Sequence, residues 1–321
     1  MAGQISFTLE EYQEAAVQYR PELLMLPIIG IEETTQWMTQ RPGIRYKERV
    51  GQMTGKAQFA PYKAKRRTDA ELKLEFRDLE THFGSVVAEF EPNSAVSTVL
   101  GKLAATKGDA QAEAPTAMHV LTLIARSLSD SLNAAIWSAK RNASGDTTQD
   151  LFDGFDTITE KEIAGGGISA EKGNYLKLEE AITDENAYDV AKKIWRSLSV
   201  HLRAEKEILV YCTQDFVDSY NEAYKLNTGA IPYNAQFEQQ AVEGSGGRMK
   251  FVPLSNKVES KFIHVSTRDN MLIGYDQMGD IESVLIKEYE PFILSYVATM
   301  FFGVQFETID KSRLMVVELA A

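Results

Sequence analysis

The sequence predicts an α+β fold, with one long helix, a helix–strand–helix unit and a β-rich C-terminal part. Three observations support this class. Apolar residues recur at three- and four-residue steps between Pro115 and Arg141. Further along, two helical patterns flank the short apolar segment "EILVYC", residues 207–212. After Gly229, six apolar segments are separated by residues that favour turns.

Composition places the chain among ordinary globular proteins. It has 321 residues, of which 44% are hydrophobic and 25% charged, enough for a sizeable core. The single cysteine, Cys212, excludes an internal disulfide and is typical of a reducing compartment. No apolar run reaches the roughly 18–20 residues of a membrane span, and no secretory signal pattern is visible. We therefore expect a soluble protein that is made inside a cell.

Charge is distributed unevenly along the chain. The whole chain carries 34 Lys and Arg against 46 Asp and Glu, yet residues 41–77 contain 11 basic and 4 acidic side chains, a net charge of +7. The remaining 23 basic and 42 acidic side chains give −19. A positive segment on a negative body predicts one of two partners. One is nucleic acid, and the other is the acidic surface of another copy of this chain.

The N-terminal region is predicted to form an arm over residues 1–43. A short helix is expected within residues 8–26, because Thr8 is a plausible N-cap and acidic side chains follow in the first turn. Pro21 and Pro27 interrupt this helix.

Residues 44–90 predict a projecting hairpin of two long strands. The segments "IRYKERV" and "LKLEFRDLETHF" alternate apolar and charged side chains, as strands do. The connection "GQMTGKAQFAPYKAKRRTDA" is too long for a tight turn and too charged for a core. Because an isolated hairpin is only marginally stable in water, this one is expected to lie on another surface.

A long helix is predicted over residues 115–141, with a length of about 40 Å at 1.5 Å per residue. Pro115 suits its first turn. The acidic segment that follows, residues 150–162, does not match a calcium loop, because Phe152 and Gly154 stand where ligands alternate. It predicts a solvated loop that leads into a strand.

The next elements predict a compact α/β unit. Thr183 is the expected cap of a helix that extends to about Leu202, and Thr213 is the expected cap of another after the strand at 207–212. The six C-terminal strands are predicted at these segments: "RMKFVPL", "KFIHVS", "NMLIGYD", "SVLIKEY", "FILSYVATMFFGVQFE" and "RLMVVEL".

No catalytic, cofactor-binding or metal-binding residues are predicted. The four histidines (His82, His119, His201 and His264) are far apart in sequence, without carboxylates or cysteines at metal-ligand spacing. Cys212 ends an apolar strand and predicts an inert thiol. Phosphate-loop, dinucleotide-binding and nucleophile-elbow motifs are absent from the sequence. The prediction is therefore a protein that is not an enzyme.

The order of the elements resembles that of a known family. A terminal arm, a long basic hairpin, a long helix, an α/β unit and returning strands follow one another. This order is similar to that of the major capsid proteins of tailed double-stranded DNA phages, which have the Hong Kong 97-type fold. The segment "DNMLIGYDQMGDIESV" also resembles capsid proteins of this kind. The resemblance covers nearly the whole chain and depends on order and pattern, because the family has no diagnostic motif.

The resemblance implies a division of the chain and a function. The implied parts are an N-terminal arm (1–43), an E-loop hairpin (44–90), a peripheral domain (91–145 and 282–321) with a spine helix (115–141), and an axial α/β domain (146–281). In that family the E-loop lies across a neighbouring subunit. The implied function is that of a self-assembling subunit of an icosahedral or prolate shell that encloses double-stranded DNA. No cofactor is implied.

The implied partners are other copies of the chain, in pentamers and hexamers, and possible scaffold, portal and decoration proteins. DNA would be enclosed without sequence-specific binding, and no membrane would be involved. The protein would be made in the host bacterial cytoplasm and located in the virion capsid. The expected inter-subunit contacts are basic residues of the hairpin: Lys63, Lys65, Arg66, Arg67 and Arg77.

Two other functions stay open at this point. An encapsulin-like compartment shell shares the fold and would contain enzyme cargo instead of DNA. A nucleic-acid-binding protein would use the basic segment 41–77, and its DNA affinity would fall steeply with salt. The net charge of −12 opposes this second alternative.

Overall fold

The computed structural model describes residues 31–56, 71–90, 113–228, 240–257, 260–276, 284–290 and 293–320. The predicted helix within residues 8–26 lies outside the described residues. So does the tip of the predicted hairpin, with four of the five expected contact residues: Lys63, Lys65, Arg66 and Arg67.

Within those ranges the chain forms six α-helices and twelve β-strands. The helices are α1 (Glu32–Thr35), α2 (Glu113–Ser138), α3 (Phe155–Ala164), α4 (Ala187–Ser197), α5 (Val200–Ala204) and α6 (Gln214–Thr228). The first six strands are β1 (Thr39–Pro42), β2 (Lys47–Lys56), β3 (Glu71–Glu80), β4 (His82–Phe90), β5 (Tyr175–Lys177) and β6 (Ile208–Cys212). The others are β7 (Met249–Pro253), β8 (Phe262–Ser266), β9 (Met271–Asp276), β10 (Val284–Glu290), β11 (Ile293–Phe306) and β12 (Leu314–Glu318). The α+β class is confirmed.

The strands form three sheets. The long strand β11 is the centre of the first five-stranded sheet. One of its edges pairs with β4, and the other pairs first with β10 and then with β9. β1 pairs parallel to β9. The second five-stranded sheet has the order β5-β12-β8-β6-β7. Over the described residues, the third contains only β2 and β3. The predicted strand "EILVYC" and the six predicted C-terminal strands are all confirmed.

A central core fills the space between α2, α3 and the two five-stranded sheets. Trp137, near the end of α2, lies at its middle, with ring centroids of Phe155 and Tyr211 at 5.3 and 5.9 Å. The opposite face of the second sheet packs against α4 and α6 and forms an outer core. Because both faces of β6 and β8 are covered, each of these strands is buried at every residue.

The predicted long helix is confirmed as α2, with ends shifted by two or three residues. The prediction of a solvated loop leading into a strand at residues 150–162 is wrong, because most of this segment forms α3. Phe155, Ile158 and Thr159 are buried at helical spacing against the central core. Gly154 allows the close approach: a Cβ built there would lie 2.3 Å from the backbone oxygen of Trp137.

The helix predicted from Thr183 to Leu202 is divided in two. The Thr183 hydroxyl accepts a hydrogen bond from the Asn186 backbone at 3.3 Å, but the α-helix begins only at Ala187. The backbone is extended at Leu198, and Ser199 then caps α5 by accepting from the Leu202 amide at 3.1 Å.

The predicted cap of the next helix is confirmed. The Thr213 hydroxyl accepts from the Phe216 amide at 3.3 Å at the start of α6.

Two features of the topology differ from the division that the sequence implied. The strand "RLMVVEL" was placed with the C-terminal peripheral strands, but β12 pairs with β5 and β8 of the second sheet. In turn β9, placed in the axial domain, pairs with β11 of the first sheet. Strand pairing thus crosses the expected boundary between residues 281 and 282. β12 lies after this boundary but joins the second sheet, and β9 lies before it but joins the first sheet.

The predicted hairpin is shorter at its C-terminal end than residues 44–90. Strands β2 and β3 pair in continuous register from Lys47–Glu80 to Lys56–Glu71. The chain then leaves the hairpin at Thr81, whose hydroxyl donates to the Ile44 carbonyl at 3.0 Å, and β4 joins β11. In "LKLEFRDLETHF" the apolar residues at 72, 74 and 76 are followed by Leu79, a step of three that changes the apolar face, but nothing in the pattern marks the change of sheet at Thr81.

The close packing of α3 against α2 gives a test of the central core. Gly154→Ala should lower the free energy of unfolding by about 1–3 kcal/mol, because the added methyl group overlaps a backbone oxygen that cannot rotate away. Gly165→Ala, at the other end of α3, is the matched control: its Cβ would be 3.3 Å from the nearest atom. Urea denaturation measures both. Equal stability of the two variants would contradict this packing.

Candidate functional site

The base of the hairpin is fixed on the body of the protein. Val50 and Leu79 are buried with Ile44 and with Leu272 of β9 in a small apolar cluster. In the first sheet, Gly303 of β11 lies against the Glu80 backbone, so closely that a Cβ at residue 303 would be 2.1 Å from the Glu80 carbonyl oxygen. We call residues 47–50 and 77–80 the hairpin root.

Arg77, one of the five predicted contact residues, connects the root to two other elements. Its side chain is only 17% exposed and forms an ion pair with Glu162 of α3 at 2.7 Å. It also donates to the Gln305 side chain of β11 at 3.1 Å, and Gln305 donates to the Asp78 carbonyl at 3.2 Å. Arg77 is therefore engaged within its own chain, and its predicted role between subunits stays a prediction.

Further ion pairs line the root. Arg45 pairs with Asp276, a buried residue at the end of β9. Lys47 contacts Asp78 at 2.8 Å and Glu80 at 3.1 Å. The hydrogen bonds that Lys47 donates to Asp78 and Glu80 raise the pKa of Lys47, and the same bond to Asp78 lowers the pKa of Asp78. Since the side chains of Lys47 and Asp78 are 49% and 30% exposed, their pairing contributes little to the stability of the fold.

At the root, the apolar side chains of the hairpin lie on the face that packs on the body. Beyond the root, they lie on the other face. Alternation along β3 places Leu74 and Phe76 on one face and Arg77 and Leu79 on the other. Leu79 is buried, whereas Leu74 and Phe76 are 52% and 56% exposed. Phe76 lies beside Gly51 of β2, where a Cβ would be 2.9 Å from its ring. We call residues 51–56 and 71–76 the distal hairpin.

The exposed apolar face of the distal hairpin is the first surface suited to contact another protein. Among the described residues, the hairpin is a sheet of two strands, which cannot cover its own apolar face. Exposed apolar strips on strands promote association with other chains. The distal hairpin is thus suited to lie on another protein surface.

A second exposed apolar surface lies on the first sheet. Phe83 and Val87 point outward from β4 and are 56% and 60% exposed. The Phe301 ring of β11 lies 5.1 Å from the rings of both Phe83 and Tyr46. Tyr46 is 70% exposed and has a φ of +70°, a conformation that is uncommon for residues other than glycine. We call Tyr46, Phe83, Val87 and Phe301 the aromatic face.

The central core contains a cluster of ionisable groups that the sequence did not reveal. Lys257 is 1% exposed, and its Nζ lies 3.3 Å from Asp156 Oδ1 and 3.2 Å from His264 Nδ1. The ammonium also donates to Ser260 at 2.8 Å and lies 3.9 Å from the Trp137 ring centroid. The other nitrogen of His264 is 2.9 Å from the Thr159 hydroxyl. We call Asp156, Lys257 and His264 the buried triad.

Burial shifts the pKa values of the basic members of this triad. It lowers the pKa of Lys257, against the opposing effect of Asp156. It also lowers the pKa of His264 well below 6.5, and the adjacent Lys257 charge acts in the same direction. A neutral His264 can accept a hydrogen bond from Lys257 through Nδ1, which leaves Nε2–H to donate to Thr159. The triad therefore connects α3, the turn at 255–257 and β8 inside the core.

Three further findings concern the cysteine thiol, metal binding and the membrane. Burial raises the pKa of the Cys212 thiol to about 12, which makes it unreactive. Over the same ranges, no group of three or more His, Cys, Asp or Glu residues is placed to hold a metal ion. None of the described helices has the length and hydropathy to cross a membrane.

No protein-family model matches this chain, and no curated protein matches its sequence. Solved structures do match its fold over nearly the full length. A chain from the procapsid of satellite phage P4 has a TM-score of 0.57 and 14% identity, covering 95% of this chain and 97% of that chain. A chain from the capsid of a native GTA particle has a TM-score of 0.54 and 14% identity, with 91% of each chain covered.

A third match is a chain from the capsid of cyanophage A-1(L), with a TM-score of 0.54, 13% identity and 92% of each chain covered. The chain has the fold of phage capsid proteins. At this identity, the likeness concerns the fold alone. Within the capsid fold, the distal hairpin and the aromatic face are the exposed apolar surfaces that the described residues of the first and third sheets present.

The buried triad gives a prediction for the dependence of stability on pH. Because the pKa of His264 is lower in the folded chain than in the unfolded chain, the unfolded state binds more protons below pH 6.5. The free energy of unfolding should therefore fall by about 1 kcal/mol when the pH is lowered from about 7.5 to about 5.5. Denaturation by urea at both pH values measures this change.

Two variants test whether this decrease in the free energy of unfolding comes from the triad. His264→Gln should remove most of it. His201→Gln, at an exposed histidine of α5, should keep it. Burial also lowers the pKa of His82, so a smaller decrease with the same sign should remain. An unchanged pH dependence in His264→Gln would contradict the role of the triad.

Proposed function

We propose that this chain is the major capsid protein of a tailed phage, a structural and non-enzymatic subunit. Copies of the chain assemble into an icosahedral or prolate shell that encloses double-stranded DNA. The observation that carries this proposal is the exposed apolar face of the distal hairpin, on a chain with a capsid fold. An exposed apolar strip on a two-stranded sheet favours association with a neighbouring molecule that covers it.

In this proposal the hairpin acts as the E-loop of the capsid family, and α2 acts as the spine helix of the peripheral domain. The axial domain, residues 146–281, contributes α4, α6 and four strands of the second five-stranded sheet, which β12 completes, and it forms the contacts within pentamers and hexamers. The proposed N-terminal arm, residues 1–43, ends in β1, which pairs with β9 of the first sheet. The root supports the hairpin on its own subunit through Arg77 and Leu79.

The basic tip of the hairpin fixes the position of the contact. Lys63, Lys65, Arg66 and Arg67 lie on a segment of net charge +7 in a chain whose remainder carries −19. A single exposed ion pair contributes only about 0–1 kcal/mol. Repetition around a shell multiplies this small contribution, and opposite charges orient the subunits as they meet.

The acidic remainder of the chain suits a shell that contains DNA. Like charges on the wall and on the phosphates prevent the genome from adhering to the wall. DNA would thus be enclosed without sequence-specific binding. Scaffold, portal and decoration proteins are further proposed partners. The proposed location is the virion capsid, after synthesis in the host bacterial cytoplasm.

Charge reversal at the hairpin tip tests this function. Purified wild-type protein, with any required scaffold protein added, should form closed shells in electron micrographs. Arg66→Glu with Arg67→Glu should yield folded but unassembled subunits, because the reversed charges repel an acidic neighbour. The matched control, Arg66→Lys with Arg67→Lys, keeps the charge and should assemble.

Circular dichroism should be the same for all three proteins. Wild-type protein that forms no shells or capsomers under any of these conditions would overturn the proposed function. Normal shells from the Glu variant would instead contradict the role of the tip. Shells filled with an enzyme in the native source would favour a compartment shell over a phage capsid.

A further inference from the structure

The buried triad holds an amine and a carboxyl group against each other inside the central core. Lys257 Nζ lies 3.3 Å from Asp156 Oδ1, and the two side chains are 1% and 12% exposed. Groups that react with each other in a protein are held about 3–3.5 Å apart before the reaction. The two residues are 101 positions apart in the chain, so the fold alone brings them together.

We infer that Lys257 and Asp156 of the same chain form an isopeptide bond, an amide between the lysine Nζ and the aspartate Cγ. The folded chain makes this bond with its own side chains, and one water molecule leaves. The bond joins α3 covalently to the turn at 255–257, in the packing that the ion pair selects. This modification goes beyond the proposed function and does not depend on it.

Burial favours the forms of the two groups that react. An amide forms from a neutral amine and a neutral carboxylic acid, because an ammonium has no lone pair and a carboxylate is a poor electrophile. In water both side chains are charged at neutral pH, but removal from water disfavours the charged forms. Burial lowers the pKa of Lys257. Transfer of its proton to Asp156 then converts the ion pair into two neutral groups that are already in contact.

Aromatic rings surround the two groups and keep water away from them. Lys257 Nζ lies 3.9 Å from the centroid of the Trp137 ring. The His264 ring lies 5.8 Å from the Phe306 ring and 6.2 Å from the Phe262 ring, between centroids. Exclusion of water leaves the carboxyl carbon to the amine, since no solvent molecule competes for it.

His264 is placed to move the proton that the reaction releases. Its Nδ1 lies 3.2 Å from Lys257 Nζ and 3.8 Å from Asp156 Oδ1, so one ring atom is close to both partners. Its Nε2 lies 2.9 Å from the Thr159 hydroxyl, which holds the ring in this orientation. Burial lowers the pKa of His264 well below 6.5, so Nδ1 of the neutral ring can accept a proton.

In the bonding step, the lone pair of the neutral Lys257 Nζ attacks Cγ of the protonated Asp156 carboxyl group. The electrons of the carbonyl double bond move to its oxygen, and a tetrahedral intermediate forms. His264 Nδ1 takes one proton from Nζ and gives it to the hydroxyl oxygen of Asp156. The carbonyl double bond then forms again, the bond from Cγ to that oxygen breaks, and water leaves. His264 returns to its neutral form, and no oxidant or other reactant takes part.

Mass spectrometry of the purified, denatured full-length chain tests the inference. The mass should be lower than the sequence mass by one water molecule. Trypsin does not cut after a lysine whose amine is bonded, so the digest should contain one branched peptide, in which residues 142–161 are joined to residues 251–261. Fragmentation of this peptide should locate the branch at Asp156 and Lys257.

The chain contains a matched control in Lys161 and Asp153. These side chains form the same kind of ion pair at 2.6 Å, but Lys161 is 58% exposed. Water stabilises both charged forms there, so no bond should form, and trypsin should cut after Lys161.

Three variants test the role of each group. Lys257→Arg keeps the positive charge but has no reactive amine, and it should have its full sequence mass. Asp156→Asn should give the same branched peptide, with ammonia as the leaving group in place of water. His264→Gln keeps both partners and should slow the reaction on the order of 100-fold or more, measured as the linked fraction at equal times after synthesis.

The inference is overturned if the wild type has its full sequence mass, if peptides 142–161 and 251–257 are recovered separately, or if Lys257→Arg loses water as the wild type does. The first two results need the wild type alone, so they decide the question even where a variant fails to fold. Shell formation is observed separately by electron microscopy, and none of these masses alters the proposed function.

Discussion

The hairpin of this chain has its apolar side chains on one face at the root and on the other face beyond it. Leu79 is buried against the body, whereas Phe76, three positions earlier, points to the opposite side and is exposed. A two-stranded sheet cannot satisfy both faces by itself. The chain therefore uses its own body for one half of the hairpin and depends on another molecule for the other half. The proposed shell contact follows from this division.

The body provides the rigid support that such an arm requires. α2 and α3 lie in one core with both five-stranded sheets, and Trp137 contacts aromatic rings from α3 and β6. The buried triad adds polar contacts that constrain α3 relative to β8. Arg77 then links the hairpin root to α3 through Glu162. We propose that this buried ionic cluster selects one packing of α3 against β8.

Elements with strong periodicity were predictable from the sequence. The apolar stripe of α2, the continuous apolar run of β6 and the cap at Thr213 depend on residues close together in the chain. The helix α3 was missed because Asp156 looks like a loop residue, and its partner Lys257 is 101 residues away. For the same reason, neither the triad nor the pairing of β12 with β8 could be predicted, since both depend on tertiary packing. Of the predicted site, the hairpin was found, and the three-residue step from Phe76 to Leu79 marks a change of apolar face, but the sequence does not show which face the body covers.

Hydrogen exchange of the backbone amides tests most directly whether the distal hairpin depends on a neighbour. In dissociated subunits, amides of residues 52–56 and 71–75 should exchange much faster than those of the root, residues 47–50 and 77–80. Assembly should slow exchange in the distal hairpin by about 100-fold or more and leave the root nearly unchanged, because only the distal half gains a covering surface. Equal protection of the distal hairpin in dissociated subunits and in shells would contradict the account.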